Sequence, residues 1–263
     1  EETGLYLHGG GVVVQDNIAL GHRFGYFHYP LPLKEGMTKP SDLSDRNFRL
    51  IMFQVKNLYI WNEDGSVNPE MLAFRDDLLA RGVTEIKINQ VPLIFRRNIA
   101  GSSETGIRIG YAGVYPESPV YNRYERFTSW GATGYAINAA YATRLEFRDV
   151  FLLHNGSHKN DALSVYATGF GGNTFTSDVR FYGGTIKGFG RGIGTPGRGS
   201  NELTDLYMEN IVNVNINPYE PGAPAAIGLR NRIHNVTFRA LNRRGYYPTA
   251  HVDIMVSGRY LPV

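Results

Sequence analysis

Asn17-Ile18-Ala19 and Asn98-Ile99-Ala100 sit in one repeating frame, and that frame restricts the chain to architectures that stack similar units. In both copies the Asn stands eight residues before a glycine (Gly25, Gly106) that opens an alternating apolar strand, and an apolar residue (Val14, Phe95) lies three places before the Asn. Weaker copies put the position of Asn17 at Val150, Gly184, Asn210 and Leu241, with Arg126 as a further member between 98 and 150. Steps of roughly 24 to 34 residues, with one short strand per repeat and glycine turns, predict a parallel β-helix (a β-solenoid) rather than a helical solenoid.

Composition agrees with that reading. The 263 residues include 31 Gly, 17 Tyr and 14 Phe, and only 19% are charged, a profile of many short strands joined by tight turns. A length of this order fits one undivided β domain. There is no cysteine, so disulfides, thiolate nucleophiles and Cys-based metal sites are excluded. The net charge of +3, from 27 basic and 24 acidic residues, is too mild to imply nucleic acid but tolerates a polyanionic glycan. No run of eighteen apolar residues suggests a membrane span. The sequence starts at Glu1-Glu2-Thr3-Gly4-Leu5 in mid-repeat, and an open solenoid end exposes unpaired strand edges. Further rungs of a longer solenoid, or a second chain, are expected to cover it.

Along the chain, Leu5–Leu7, Val12–Val14 and Tyr26–Tyr29 form a first rung of three strands. Residues 31–92 break the rhythm and read as an inserted excursion with a helix near 69–81. Asn68 caps it, Pro69 takes its first position, Met71, Leu72, Leu78 and Leu79 share one face, and Gly82 stops it. Long insertions from solenoids commonly build a binding face. From 93 to 241 the rungs run on, and residues 1–263 are read as a single domain.

Asp16-Asn17-Ile18-Ala19…Gly21…Gly25-Tyr26-Phe27 followed by Pro30-Leu31-Pro32, and Phe127-Thr128-Ser129-Trp130-Gly131…Gly134-Tyr135 leading to Leu145-Glu146-Phe147-Arg148-Asp149, resemble the right-handed parallel β-helix region of extracellular proteins of the G8-domain, hyaluronan-binding, cell-migration-inducing type. The resemblance covers about two thirds of the chain. It implies a right-handed helix in a secreted protein that binds or cuts an extracellular polysaccharide.

The candidate chemistry follows from residue type. Asn17, Asn98 and Asn210 share one repeat position and are expected to form an inward asparagine ladder rather than a ligand set. No histidine pair has metal-ligand spacing, so no metal site is predicted. Calcium is the one cofactor admitted, because β-helix lyases use an acidic calcium site with a basic proton acceptor. His22 and His28 flank a glycine corner, and His154, His158 and Asp161 occupy an irregular loop; these are the better acid–base candidates, against the plainer reading of ordinary packing. Asp16, Glu125, Asp149 and Glu209 lie at or beside repeat positions and are expected along one edge, as catalytic carboxylates or as solubilising charges. Asp149 joins His22, His154, His158 and Asp161 as a catalytic candidate. The Asn-Thr-Asp and following Asp-Asp of polygalacturonases are absent, as is the Asp-Pro-x-His of alginate epimerases.

Tyr29, Tyr111, Tyr115, Tyr121 and Trp130, with Arg108 and Arg123 among them, are the candidate substrate-binding set. Flat rings stack on the apolar faces of sugars, and arginine forks grip carboxylates or sulfates. Asn155 and Asn235 match the glycosylation acceptor pattern. Three functions fit, in this order: a lyase or hydrolase acting on an acidic glycan, a non-catalytic glycan-binding or adhesive module, and a self-assembling structural solenoid.

Overall fold

The computed structural model describes residues 2–7, 12–29, 52–87, 91–110, 121–154, 167–172, 176–196, 199–216, 230–241 and 252–256. Its regular structure is mostly short strands, paired in parallel. Thr3–Leu7, Phe24–His28, Thr105–Gly110, Tyr135–Ala140, Thr168–Gly172, Arg191–Thr195, Val212–Ile216 and Val252–Val256 follow one another in an eight-stranded sheet. A second sheet stacks Val13–Gln15, Ile94–Arg96, Asn122–Glu125, Thr143–Leu153, Ser177–Lys187, Ser200–Asn210 and Arg230–His234 in the same manner. Ile18–Leu20, Ile99–Gly101, Thr128–Trp130 and Thr237–Ala240 extend that sheet beyond a bend. The chain alternates between the sheets, so each circuit lays a strand beside the one before.

The bend is one residue wide and has the same cause in every circuit. Asp16, Arg97, Arg126, Asp149, Gly183, Asp205 and Asn235 each follow register-matched residues, and all have positive φ, between 49° and 73°. Asp and Asn tolerate this left-handed conformation better than most residues, which explains why they recur at the bend.

That column corrects the repeat frame read from sequence. Asn17, Asn98, Val150 and Gly184 do occupy one position, immediately after the bend. The matching residues in the other circuits are Phe127, Leu206 and Val236, not Arg126, Asn210 and Leu241. The asparagine ladder therefore has two members here, and Phe127 and Val150 replace it with core packing. Asn210 imitates the motif because it lies at the next corner, where its Oδ1 accepts from the Phe189 amide at 3.0 Å and its Nδ2 donates to Ile186 O at 2.9 Å.

Side chains pointing between the sheets form the core. Val14, Phe95, Tyr124, Phe147, Phe181 and Leu203 stack from one side, and Tyr26, Ile107, Ile137, Phe170, Ile193 and Val214 from the other. Phe147 stacks on Tyr124 at 5.0 Å and on Phe181 at 4.6 Å between ring centroids. Each such pair contributes about 0.5–1.5 kcal/mol beyond its buried area.

The excursion has a core of its own, made of Val55, Leu58, Ile60, Met71, Phe74, Leu78, Ile86 and Val91. Met52–Gln54 and Glu85–Lys87 close its base as an antiparallel pair. Its helix, Pro69–Ala80, begins where Asn68 accepts from the Glu70 and Met71 amides at 3.1 Å each. Met71, Phe74 and Leu78 form the buried face, whereas Leu79 is exposed, because the helix turns its apolar stripe toward Phe74. No helix among the described residues is long and apolar enough to cross a membrane.

Candidate functional site

Outward positions on the second sheet alternate in charge from circuit to circuit. One register column reads Ile94, Arg123, Glu146, Arg180, Glu202, Arg232, and the next reads Arg96, Glu125, Arg148, Tyr182. Strands about 4.8 Å apart bring each charge against its opposite. Glu146, buried, receives Arg123 Nε at 3.1 Å and Arg148 Nε at 2.7 Å.

The excursion stands over this face. The Pro69–Ala80 helix presents Glu70 from its first turn, where a carboxylate also complements the helix dipole, and Glu70 pairs with Arg123. On the other side of the helix start, a turn closed by the Asn62 amide on Ser66 O and by a Trp61–Val67 bridge carries Glu63 and Asp64. Ser66 donates to Asp64 and holds its carboxyl below the usual range. Glu63 pairs with Arg97 and lies 3.7 Å from Arg96.

Between excursion and sheet runs an open cleft of about 600 Å³ lined by Trp61, Glu63, Glu70, Arg96, Tyr121, Arg123, Glu125 and Arg126 among others. A second hollow of about 550 Å³ shares Glu70, Tyr121 and Arg123 with it and continues to Glu146 and Arg180. The Arg180 guanidinium lies 4.0 Å from the Tyr121 ring centroid, a cation–π contact that holds the ring in place. Burial pushes the Tyr121 hydroxyl pKa up, so it is a neutral hydrogen-bonding group at ordinary pH. Chemically, the cleft offers flat rings, guanidiniums and carboxylates along a channel open to solvent.

Of the residues expected to bind substrate, Tyr121 and Arg123 lie in this cleft. Trp130 lies beyond the bend, exposed, with its ring against Gly101. Arg108 is on the first sheet, 5.5 Å from the Phe24 ring and 5.7 Å from that of Phe27; Tyr29 is buried against Phe27 at 5.7 Å. Tyr111 and Tyr115 lie outside the described residues, as do His158 and Asp161. The three other catalytic candidates occupy separate corners. His22 is half-buried between Ile18–Leu20 and Phe24–His28; Asp149 is exposed at the bend; His154 is buried beside Phe189 at 5.6 Å.

The four carboxylates expected along one edge divide as well. Asp16 and Asp149 share the bend column, Glu125 precedes it by one residue, and Glu209 lies on the far wing, accepting from Tyr207 at 2.7 Å and from Lys187 at 3.0 Å. Among the described residues no three His, Asp or Glu side chains gather as a metal site would require. Sequence reading passed over Trp61, Glu63, Glu70, Arg96, Arg126, Glu146 and Arg180. For Arg96, Glu146 and Arg180 the signal is the sign alternation between circuits, which emerges only once strands 22 to 34 residues apart are placed in register. Trp61, Glu63 and Glu70 lie on the excursion and Arg126 in the bend column, where no such pattern marks them. No family model, curated protein or solved structure matches this chain.

Proposed function

We propose that this chain is a right-handed parallel β-helix whose cleft binds an extended acidic polysaccharide at the cell exterior. Handedness follows from the rule that crossover connections between parallel strands of one sheet are right-handed in about 98% of cases. The observation that carries the ligand is the gathering of Trp61 and Tyr121 with Arg96, Arg123 and Arg126 around one open channel. Rings supply stacking platforms for pyranose faces, and guanidiniums supply paired donors for carboxylate or sulfate. The resemblance drawn from the Asn17 and Phe127 stretches points to the same ligand class.

Binding without cleavage is favoured because Glu63, Glu70 and Glu146 are each engaged by a guanidinium and the described histidines stand away from the cleft. One observation supports the second reading, cleavage by a lyase or hydrolase. Glu125 lines the cleft, half-buried, and its side chain makes no hydrogen bond or ion pair among the described residues. It is the group available for proton transfer.

The test is retardation of the purified chain in gels containing polygalacturonate, hyaluronan or a neutral glucan, alongside assays for reducing ends and for the absorbance of unsaturated products. Retardation by an acidic polymer that weakens in Trp61→Ala and Tyr121→Ala is expected. Product formation abolished by Glu125→Gln would establish cleavage. Equal retardation by the neutral glucan, or none by any polymer, would overturn the proposal.

A further inference from the structure

Arg96 stands apart from the other cations of the cleft. Its side chain is only 5% exposed, yet it lines the channel. Nε has no hydrogen-bond partner among the described residues, and Nη1 reaches Glu63 only at 3.7 Å, beyond hydrogen-bond range. A guanidinium withdrawn from water needs charge-assisted hydrogen bonds to offset its desolvation. Arg96 lacks them.

Glu63 shows what would satisfy it. Its carboxylate is divided between two cations, with Oε1 on Arg97 and Oε2 toward Arg96. The Glu63 side chain is 44% exposed and comes from the excursion turn, not from the sheet. Arg97 already has an ion pair with Asp16, whose two oxygens accept from its Nε at 2.7 Å and Nη2 at 2.6 Å. Glu63 is therefore the more easily displaced anion of the pair, and Arg97 keeps a partner when it leaves.

We infer that Arg96 is the subsite for one uronate carboxylate of the bound chain, and that Glu63 occupies this place as an internal competitor until ligand displaces it. A carboxylate oxygen already stands toward Nη1, and once Glu63 leaves, the unsatisfied Nε beside it completes a fork that matches a planar two-oxygen acceptor. The acidic polymer is thus selected by a buried cation that a neutral sugar leaves unsatisfied, the kind of site that discriminates most strongly. This inference rests on the glycan reading of the cleft.

The chain contains two tryptophans, so a Trp130→Phe background leaves Trp61, on the rim of the same cleft, as the sole tryptophan, read by excitation selective for indole over the tyrosines. The probes are trigalacturonate, its neutral methyl ester, and sodium acetate. Trigalacturonate should bind at least about tenfold more tightly than the ester, the scale of one charge-assisted pair. Glu63→Gln should tighten trigalacturonate severalfold and leave the ester unchanged. Arg96→Gln, checked for folding by circular dichroism, should reduce trigalacturonate to the affinity of the ester.

An unchanged acid preference in folded Arg96→Gln overturns the subsite, as does weaker trigalacturonate binding in Glu63→Gln. Should Arg96→Gln fail to fold, the exposed Glu63→Gln variant decides alone. Where neither saccharide binds, the glycan reading has failed; a saturable acetate response that tightens in Glu63→Gln still upholds Arg96 as a carboxylate site, and none overturns it.

Discussion

Asn98 Oδ1 accepts hydrogen bonds from both nitrogens of Asn17, backbone and side chain, each at 3.0 Å and across 81 residues of sequence. The Asn98 amide donates in turn to Val14 O at 2.9 Å, and Asn98 is fully buried. One side chain thus fastens the first two circuits on either side of the long excursion. Asn98→Ala leaves a buried carbonyl and an amide unpaired and should cost about 2–4 kcal/mol, read as a lower urea midpoint. Asn17→Ala, at an exposed position whose backbone amide still reaches Asn98, should cost less than about 1 kcal/mol. Equal losses would show that the ladder acts only through its outer member.

His28 ties the same core to pH. It is buried, with Nδ1 2.8 Å from the Tyr124 hydroxyl and Nε2 without a hydrogen-bond partner among the described residues, and burial pushes its pKa down from 6.5 to about 3. The folded chain holds the ring neutral while the unfolded chain protonates it. Its contribution is therefore complete above pH 6.5 and lost as pH falls toward 3, by about 1.4 kcal/mol per unit. Denaturant titrations across this window should give a shallower acid limb for His28→Leu than for the parent chain. Parallel limbs would mean that His28 takes up its proton without unfolding.

Much of the fold was legible because it is written in local rules. Gly25 and Gly106 mark adjacent strands, Asn17 and Asn98 share a corner, and Asn68-Pro69 starts a helix through cap chemistry. What was not legible depends on register. Asn210 has the local look of Asn17 and belongs to another corner, because its side chain hydrogen-bonds to Phe189 N and Ile186 O of the preceding circuit. The cleft was hidden for the same reason. Tyr121 and Arg123 stood out by composition, but Glu70 and Glu146, which hold Arg123 from opposite sides, lie far from it in the chain.

Circuits also pack closely along a glycine column of the first sheet. A Cβ on Gly25 would stand 2.7 Å from Gly106 O, and one on Gly106 would stand 2.6 Å from Ala136 O, both backbone atoms that cannot rotate away. Gly106→Ala should destabilise by roughly 1–3 kcal/mol through overpacking. Gly194→Ala is the control, since its nearest neighbour would be Phe170 O at 3.5 Å. It should be neutral or slightly stabilising in the same melts.

Trp130 separates the two faces that carry exposed aromatics. It neighbours Leu153 and Gly101 beyond the bend, with Leu20 and Phe151 also exposed there. Trp130→Ala should leave retardation in acidic-glycan gels unchanged, while Trp61→Ala weakens it. The opposite pattern would move the binding surface to the far wing.

Arg123 is the pin between excursion and sheet. Its guanidinium engages Glu70 on the helix and Glu146 on the sheet, and it is 19% exposed while Glu146 is 5% exposed. Removing it leaves Arg148 as the one ion-pair partner of Glu146 among the described residues and cuts the helix loose at its first turn. Because the excursion keeps the separate core around Phe74, it should stay folded while its attachment weakens. In hydrogen exchange, Arg123→Ala should speed amide exchange at Glu70–Phe74 more than at Leu145–Phe147, with global stability lowered by about 1–2 kcal/mol. Glu70→Gln, which spares the sheet-side pair, should reproduce the helix effect with a smaller global loss. Uniform acceleration across both regions would mean that the two cores unfold as one unit, and the cleft between them would then have no hinge.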